Sequence, residues 1–281
     1  MTLLNNYYDK TYNDMLPITT FSQQQCKEIK YILTDIDDTL THSGRIPACA
    51  FQALENLQRT GIKIIPITGR PAGWCDLIAR MWPVDGVVGE NGALYFSYDE
   101  KNKKMIRRYI KNEEERVNDR KKLSSIRDEI LKNIPGCALS ADQHYREADL
   151  AIDFCEDVPV LPEEDIIKIV KIFEKHGATA KISSIHVNGW FGSYDKLSMT
   201  KIFFQDIFDL NLDNILEEVI YAGDSPNDEP MFEYFPNSVG VANILEFTDI
   251  LTHKPALITE KEGGYGFTQL ADHLLSALSP R

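Results

Sequence analysis

Short apolar runs stopped by polar clusters set the rhythm of the first third of the chain. KYILT, ending at Thr34, reads as a strand buried on both faces, and carboxylates stop it. Pro47 suits the first turn of a helix in which Ala50, Phe51, Leu54 and Leu57 recur at helical spacing, and Gly61 ends it. KIIPIT is a second strand, ending in Gly69. Ala72 to Met81 predicts a helix, with Trp74 and Trp82 read as its core residues. DGVVGENGALYF reads as strand, Asn91-Gly92 turn, strand. Strand and helix alternating in this way predict a doubly wound parallel layer.

The pattern changes after that turn. Lys103 to Ile110 reads as a mixed strand, and KNEEERVNDRKKLSSIRDEILKNI as a helix whose charges form a solvated face, broken by Pro135-Gly136. ADLAIDFC is a strand, LPEEDIIKIVKIFEKHG a helix between Pro162 and Gly177, and ATAKISSIHVNGWFG one further strand. The α/β rhythm then resumes, with a helix from Ser198 to Phe208, the strand EEVIYAG and the short helix PMFEYF. Short strands follow at Asn237 to Val241 and Ala256 to Thr259, and a last helix runs from Phe267 to Leu278. The expected fold class is therefore α/β: a Rossmann-like doubly wound parallel-sheet core, residues 27–94 and 191–281, with an inserted α+β domain at 95–190. Residues 1–26, polar with scattered aromatics, read as an N-terminal extension.

Composition narrows the function. The chain has 281 residues, 43% of them hydrophobic and 26% charged, enough for a sizeable core without staples. A formal net charge of −13 argues against a nucleic acid or an anionic membrane as partner; a protein partner is left unknown. Cys26, Cys49, Cys75, Cys137 and Cys155 show no CxxC spacing and read as reduced thiols. MTLLNNYYDKTYNDML has no basic head followed by an apolar stretch, so a secretory signal is not expected and the location read is cytoplasmic.

Four polar features then fall at or near the ends of the α/β strands: DIDDT at 35–39, Thr68 in ITGRP, Lys196 in YDKLSM, and GDSPND with Asp224, Asn227 and Asp228. In an open parallel sheet, ligands bind outside the carboxyl ends of the strands. Asp35, Asp37, Asp224 and Asp228 gathered there are too negative to stand unaided, and a hard divalent cation such as Mg²⁺ resolves this. A carboxylate so placed is a nucleophile toward phosphorus, a second one is an acid and base, Thr68 a hydroxyl donor and Lys196 a compact positive charge. An EF-hand starting at Asp35 fails because Leu40 and Ile46 occupy the glycine and closing-acid positions, and there is no GxxxxGK[ST] phosphate loop.

These ordered motifs resemble those of the haloacid dehalogenase superfamily, in its phosphatase branch with a large α+β cap (subfamily IIB, the Cof type). DIDDT resembles the first motif, DxDx[TV]; Thr68, Lys196 and GDSPND resemble the second, third and fourth. The resemblance implies Asp35 as nucleophile, Asp37 as acid and base, and Mg²⁺ held by Asp35, Asp224, Asp228 and the backbone carbonyl of Asp37. Asp228 is implied as a direct or water-mediated ligand. The resemblance implies hydrolysis of a small phosphorylated metabolite, a sugar phosphate above all, through an aspartyl phosphate. The superfamily's dehalogenases lack the second aspartate and the metal, so dehalogenation is not expected. GDSPND and the ENGA turn also resemble sucrose-phosphate and mannosyl-phosphoglycerate phosphatases. A phosphomannomutase-like reaction and a non-catalytic phospho-ligand sensor are the rival readings.

Around these motifs, Gly69, Arg70, Asn91 and Asn227 are candidate substrate-binding residues. Arg70 has the alternative of a salt bridge at a helix start. Arg146 in QHYREAD is read either as a specificity residue or as a surface arginine. His186, Asn188 and Trp190 alternate along one strand and so share a face, either a roof over substrate or an ordinary sheet surface.

Overall fold

The computed structural model describes residues 15–278. Along the chain run β1 (Leu16–Pro17), α1 (Gln23–Glu28), β2 (Tyr31–Thr34), α2 (Ala48–Arg59), β3 (Lys63–Pro66), α3 (Ala72–Met81), β4 (Val87–Gly89), β5 (Leu94–Asp99) and β6 (Lys104–Tyr109). Next come α4 (Glu113–Asn133), β7 (Ala138–Leu139), β8 (Leu150–Asp153), α5 (Glu163–Lys175), β9 (Thr179–Ile182), β10 (His186–Trp190) and α6 (Lys196–Phe208). The last are β11 (Val219–Gly223), α7 (Glu229–Tyr234), β12 (Ser238–Gly240), β13 (Leu257–Ile258) and α8 (Gly263–Leu278). The described residues form two compact units: 15–66 with Pro83–Asp85 and 210–278, and Ile67–Trp82 with Gly86–Asp209.

The first unit is built on a six-stranded sheet in the order β1-β13-β12-β11-β2-β3, every pair parallel. Parallel strands are buried on both faces, and Ile32, Leu33, Ile64, Ile65, Val219 and Ile220 are all inaccessible. From β2 the chain moves outward to β3, and it later returns to place β11 on the other side of β2. The gap between β2 and β11 is thus the topological switch point, where a crevice opens at the strand ends. The amphipathic helix α2 buries Ala50, Ala53, Leu54 and Leu57 and packs on β3 and α8. At the other edge, β1 pairs with β13 (Leu16↔Leu257), and Ile18, Phe21 and Cys26 are buried. The latter part of the expected extension is therefore an integral edge of this unit; residues 1–14 lie outside the described residues.

The second unit encloses the segment 95–190 read as an inserted domain and adds α3, β4 and α6. Phe203 of α6 explains part of this. A β-carbon on Gly86 would lie 2.5 Å from its ring, and Tyr95 meets it edge-on at 5.1 Å. The unit has two antiparallel sheets, β4-β5-β6 and β7-β8-β10-β9. α4 and α5 cover the four-stranded sheet through Leu123, Ile126, Ile130, Ile169 and Phe173, against Ile152 and Val187. The solvated face expected of α4 is present, and Asp119, Leu123, Ile126 and Ile130 form its buried stripe. The single strand expected over ATAKISSIHVNGWFG is instead the hairpin β9–β10, turning at Ser183–Ile185 where Ser183 N–H donates to His186 O at 2.8 Å. Trp74 is 40% exposed and Trp82, half-buried, caps the end of α3, so neither belongs to the core as expected. Among the described residues no helix is long and apolar enough to cross a membrane.

Candidate active site

The register of β2 and β11 brings the acids together. Thr34 pairs with Ala222, and Asp35 N–H donates to Ala222 O at 2.9 Å, so the residues that follow each strand emerge side by side. Asp35, Asp224 and Asp228 are buried, and each offers a carboxylate oxygen such that all three lie within 4.8 Å of one another. Asp37, half-buried, stands outside this trio. The 35–41 loop turns back on itself: Thr39, Leu40 and Thr41 all direct their N–H to Ile36 O, and Asp38 takes φ +56. That turn points Thr39 Oγ1 at Asp224 Oδ1, to which it donates at 2.8 Å.

Asp228 is held from several sides. Its Oδ1 accepts from the Tyr221 phenol at 2.5 Å, and its Oδ2 from the N–H of Asp224 (3.1 Å) and Ser225 (3.4 Å). Gly223 leaves room for it, since a β-carbon there would lie 2.5 Å from Asp228 Oδ2. Asn227, half-buried beside it, accepts at Oδ1 from Ser225 Oγ at 2.8 Å. Burial first, then Asp228 and Asp35, push the Asp224 carboxyl well above the usual range. Three buried carboxylates that burden one another in this way are a hard-oxygen donor set, which suits a divalent cation such as Mg²⁺.

Thr68, Gly69, Arg70, Asn91 and Lys196 belong to the second unit, and one turn links their segments there. Thr68 N–H donates to Val88 O at 2.9 Å, and its Oγ1 accepts from Arg70 N at 3.0 Å. The 3₁₀ turn Glu90–Gly92 closes over this loop, with Glu90 N–H on Arg70 O and Asn91 N–H on Thr68 O, both 3.1 Å. The Asn91 amide lies against Gly69, whose β-carbon, if present, would sit 3.2 Å from its Oδ1; Asn91 Nδ2 is buried with no hydrogen-bond partner among the described residues. On its other side the same turn meets the start of α6. There Asp195 caps the helix by accepting from Ser198 N, and Lys196 is buried.

A polar network in this unit joins Arg70, Arg146, His186 and Asn188 to acidic side chains. Arg146 is not a surface arginine: its side chain is 1% exposed and pairs with Asp142 and Asp149 at 3.0 Å, while Nη1 donates to Gly69 O at 2.8 Å. Arg70 pairs with Glu156 at 2.8 Å, lies 3.5 Å from Asp142, and stacks over Trp74 with its guanidinium carbon 4.4 Å from the ring centroid. His186, Asn188 and Trp190 are all buried, so their shared face is no open sheet surface. His186 Nε2 lies 3.0 Å from Glu156, and Asn188 Nδ2 donates to Asp149 at 3.0 Å. Glu90, also buried, accepts four backbone N–H groups: Ala72 (2.9 Å) and Glu147 (2.8 Å) at Oε1, Ala148 (2.6 Å) and Asp149 (3.2 Å) at Oε2. Burial, then Asp149, push its carboxyl up to about 7, against Arg146 and the N–H donors.

Sequence reasoning missed Tyr221, Glu156, and the acids Asp142 and Asp149 that flank Arg146. The last two had a signal, since acids four residues before and three after an arginine are its natural partners in a turn.

Residues 32–135 match the family model for haloacid dehalogenase-like hydrolases. The chain is 27% identical over 207 residues to a phosphoglycolate phosphatase of Thermoplasma volcanium, a match covering 73% of this chain and 81% of that protein. Among solved structures, protein 0175 of Thermoplasma acidophilum superposes with a TM-score of 0.67 at 20% identity, covering 88% of this chain and 98% of the other. The sucrose-phosphatase of Synechocystis, solved with sucrose and phosphate, does so with a TM-score of 0.59 at 15% identity, covering 87% and 97%. At such identities these structures establish likeness of fold.

Proposed function

We propose that this chain, a member of the haloacid dehalogenase superfamily, is a Mg²⁺-dependent phosphatase that hydrolyses a small phosphorylated metabolite through an aspartyl phosphate on Asp35. The observation that carries the reading is the convergence of buried Asp35, Asp224 and Asp228 at the switch point between β2 and β11. Asp35, Asp224 and Asp228, with the backbone carbonyl of Asp37, would hold the cation, which when bound supplies charge neutralisation for carboxylate and phosphoryl oxygens.

In the first step an oxygen of Asp35 attacks phosphorus in line while the ester P–O bond breaks. Asp37, protonated, delivers its proton to the departing alkoxide. In the second step Asp37, now ionised, takes a proton from water as that water attacks the acyl phosphate. The P–O bond to Asp35 breaks, and inorganic phosphate leaves with both aspartates restored. The motif order assigns Thr68 a hydroxyl donor role and Lys196 a positive charge toward phosphoryl oxygens. Arg70, Asn91 and Asn227, with the backbone at Gly69, are proposed to meet the substrate. Arg146, His186 and Asn188 are proposed to act through the carboxylates that hold them, shaping the loops on which specificity rests.

The substrate class is read from relatives that act on phosphoglycolate and sucrose phosphate. A sugar phosphate or a similarly small phosphorylated acid fits that range. The test is phosphate release from a panel of such esters with Mg²⁺, with EDTA, and with Asp35→Asn. Release that needs Mg²⁺ and is lost in a folded Asp35→Asn protein is expected. Conversion of a hexose 1-phosphate to its 6-phosphate without free phosphate would instead make the chain a mutase.

A further inference from the structure

A buried tyrosine stands directly beneath the acid trio. Tyr221 is the middle residue of β11, in a run VIYAG that is otherwise apolar and wholly buried. Its ring is fixed by Phe232, edge-on at 5.7 Å, and Phe235, stacked at 6.1 Å. Packing alone would be served as well by phenylalanine. The hydroxyl is what needs explaining, and it donates to Asp228 Oδ1 at 2.5 Å.

That bond completes a clamp. Asp228 Oδ2 accepts from the N–H groups of Asp224 and Ser225, which fixes one edge of the carboxylate to the loop. The phenol fixes the other oxygen, and the missing β-carbon of Gly223 leaves the space that the carboxylate occupies. Donors on both oxygens define the carboxylate plane, and with it the direction in which the remaining acceptor capacity points. Burial shields the phenol–carboxylate bond from competition with water.

The geometry points to Tyr221 as a positioning residue for the cation: its phenol holds Asp228 in the orientation that faces Asp35 and Asp224. This rests on reading the trio as a divalent-cation site. Partners of metal ligands typically change metal affinity about 10- to 100-fold when removed, because the ligand must then be ordered at the moment of binding. Tyr221→Phe removes one oxygen and keeps the packing against Phe232 and Phe235.

The experiment is calorimetric titration of the full chain with MgCl₂, for the unaltered protein, Tyr221→Phe, and Phe232→Leu as a packing control. Tyr221→Phe is expected to weaken Mg²⁺ binding about 10-fold or more while leaving the KM for ester at saturating Mg²⁺ unchanged. Phe232→Leu is expected to lower the melting temperature without that loss of affinity. Mg²⁺ binding by Tyr221→Phe as tight as in the unaltered protein overturns the inference and leaves the proposed site standing. Failure of the unaltered protein to bind Mg²⁺ overturns both. If Tyr221→Phe does not fold, fluorotyrosine placed at 221 alone supplies the reading. Its ¹⁹F resonance is expected to shift on adding MgCl₂, and an unmoved resonance at saturation overturns the inference.

Discussion

A β-carbon on Gly92 would lie 2.0 Å from the carbonyl oxygen of Asp195, closer than any side chain can come. Gly92 also takes φ +101, where residues other than glycine are strained. Both facts follow from the turn being wedged between the Thr68 loop and the first turn of α6. Gly92→Ala is therefore expected to cost at least about 2 kcal/mol of stability. It should also lower turnover, because Lys196 follows the displaced residue. Urea unfolding and kcat on the same sample check this; an alanine variant equal to the parent in both would show the turn to be slack.

Glu90 gives a second prediction in the same unit. Four backbone N–H groups from two chain segments end on its two oxygens. Glu90→Gln keeps the shape but turns one oxygen into an NH₂ group that faces donors. With each stranded buried donor costing about 1–3 kcal/mol, a loss of about 2–5 kcal/mol is expected. Denaturant melts measure it, and a change below about 1 kcal/mol would mean the loops hold without this carboxylate.

Glu156 makes stability depend on acid pH. The His186 imidazole 3.0 Å away first, and then the bond and charge of Arg70, outweigh burial and hold its carboxyl at about 2, against an ordinary 4.5. A carboxyl depressed on folding contributes stability that is fully present above its unfolded pKa. That contribution fades as pH falls from about 4.5 to about 2. Glu156→Gln should thus lower the melting temperature at neutral pH, and the gap to the parent should shrink through that window. A gap of constant size from pH 6 to pH 2 would contradict the assignment.

Much of the first unit was legible because its signals are local. The run Tyr31–Thr34 is apolar and short, Asp35 ends it, and a parallel register with Val219–Ala222 is enough to bring Asp224 alongside. Long-range pairing was not legible in the same way. Leu16–Pro17 is a strand only because Leu257 and Ile258 lie next to it, and nothing within those two residues announces that. Arg146 looked like a surface residue because arginine usually is; its burial depends on Asp142, Asp149 and the carbonyl of Gly69 closing around it. Trp74 looked like core because it sits on an apolar helix, yet Arg70 lies over its ring and leaves it partly open. Ser183 and Ser184 were the signal for the β9–β10 hairpin, in a segment where apolar residues on both sides concealed the turn.

Gly223 sits where the acids meet. A β-carbon there would lie 2.5 Å from Asp228 Oδ2 and 2.7 Å from its Cγ, so the whole carboxylate must move. Gly223→Ala is expected to raise the Mg²⁺ concentration for half-maximal turnover about tenfold or more, the usual scale for disturbing a ligand's support. Activity plotted against Mg²⁺ for the two proteins decides it, and superimposable curves would mean that Asp228 does not face the cation.

The central claim, that Asp35 captures the phosphoryl group, is tested most directly by trapping. The protein is mixed with a phosphate ester and Mg²⁺, quenched within a turnover, and treated with borohydride, which reduces an acyl phosphate to the alcohol. Mass spectrometry of the peptide spanning the DIDDT sequence is expected to show homoserine at position 35 and nowhere else. Unmodified Asp35 under conditions of active turnover, or homoserine at position 37, 224 or 228 instead, would contradict it.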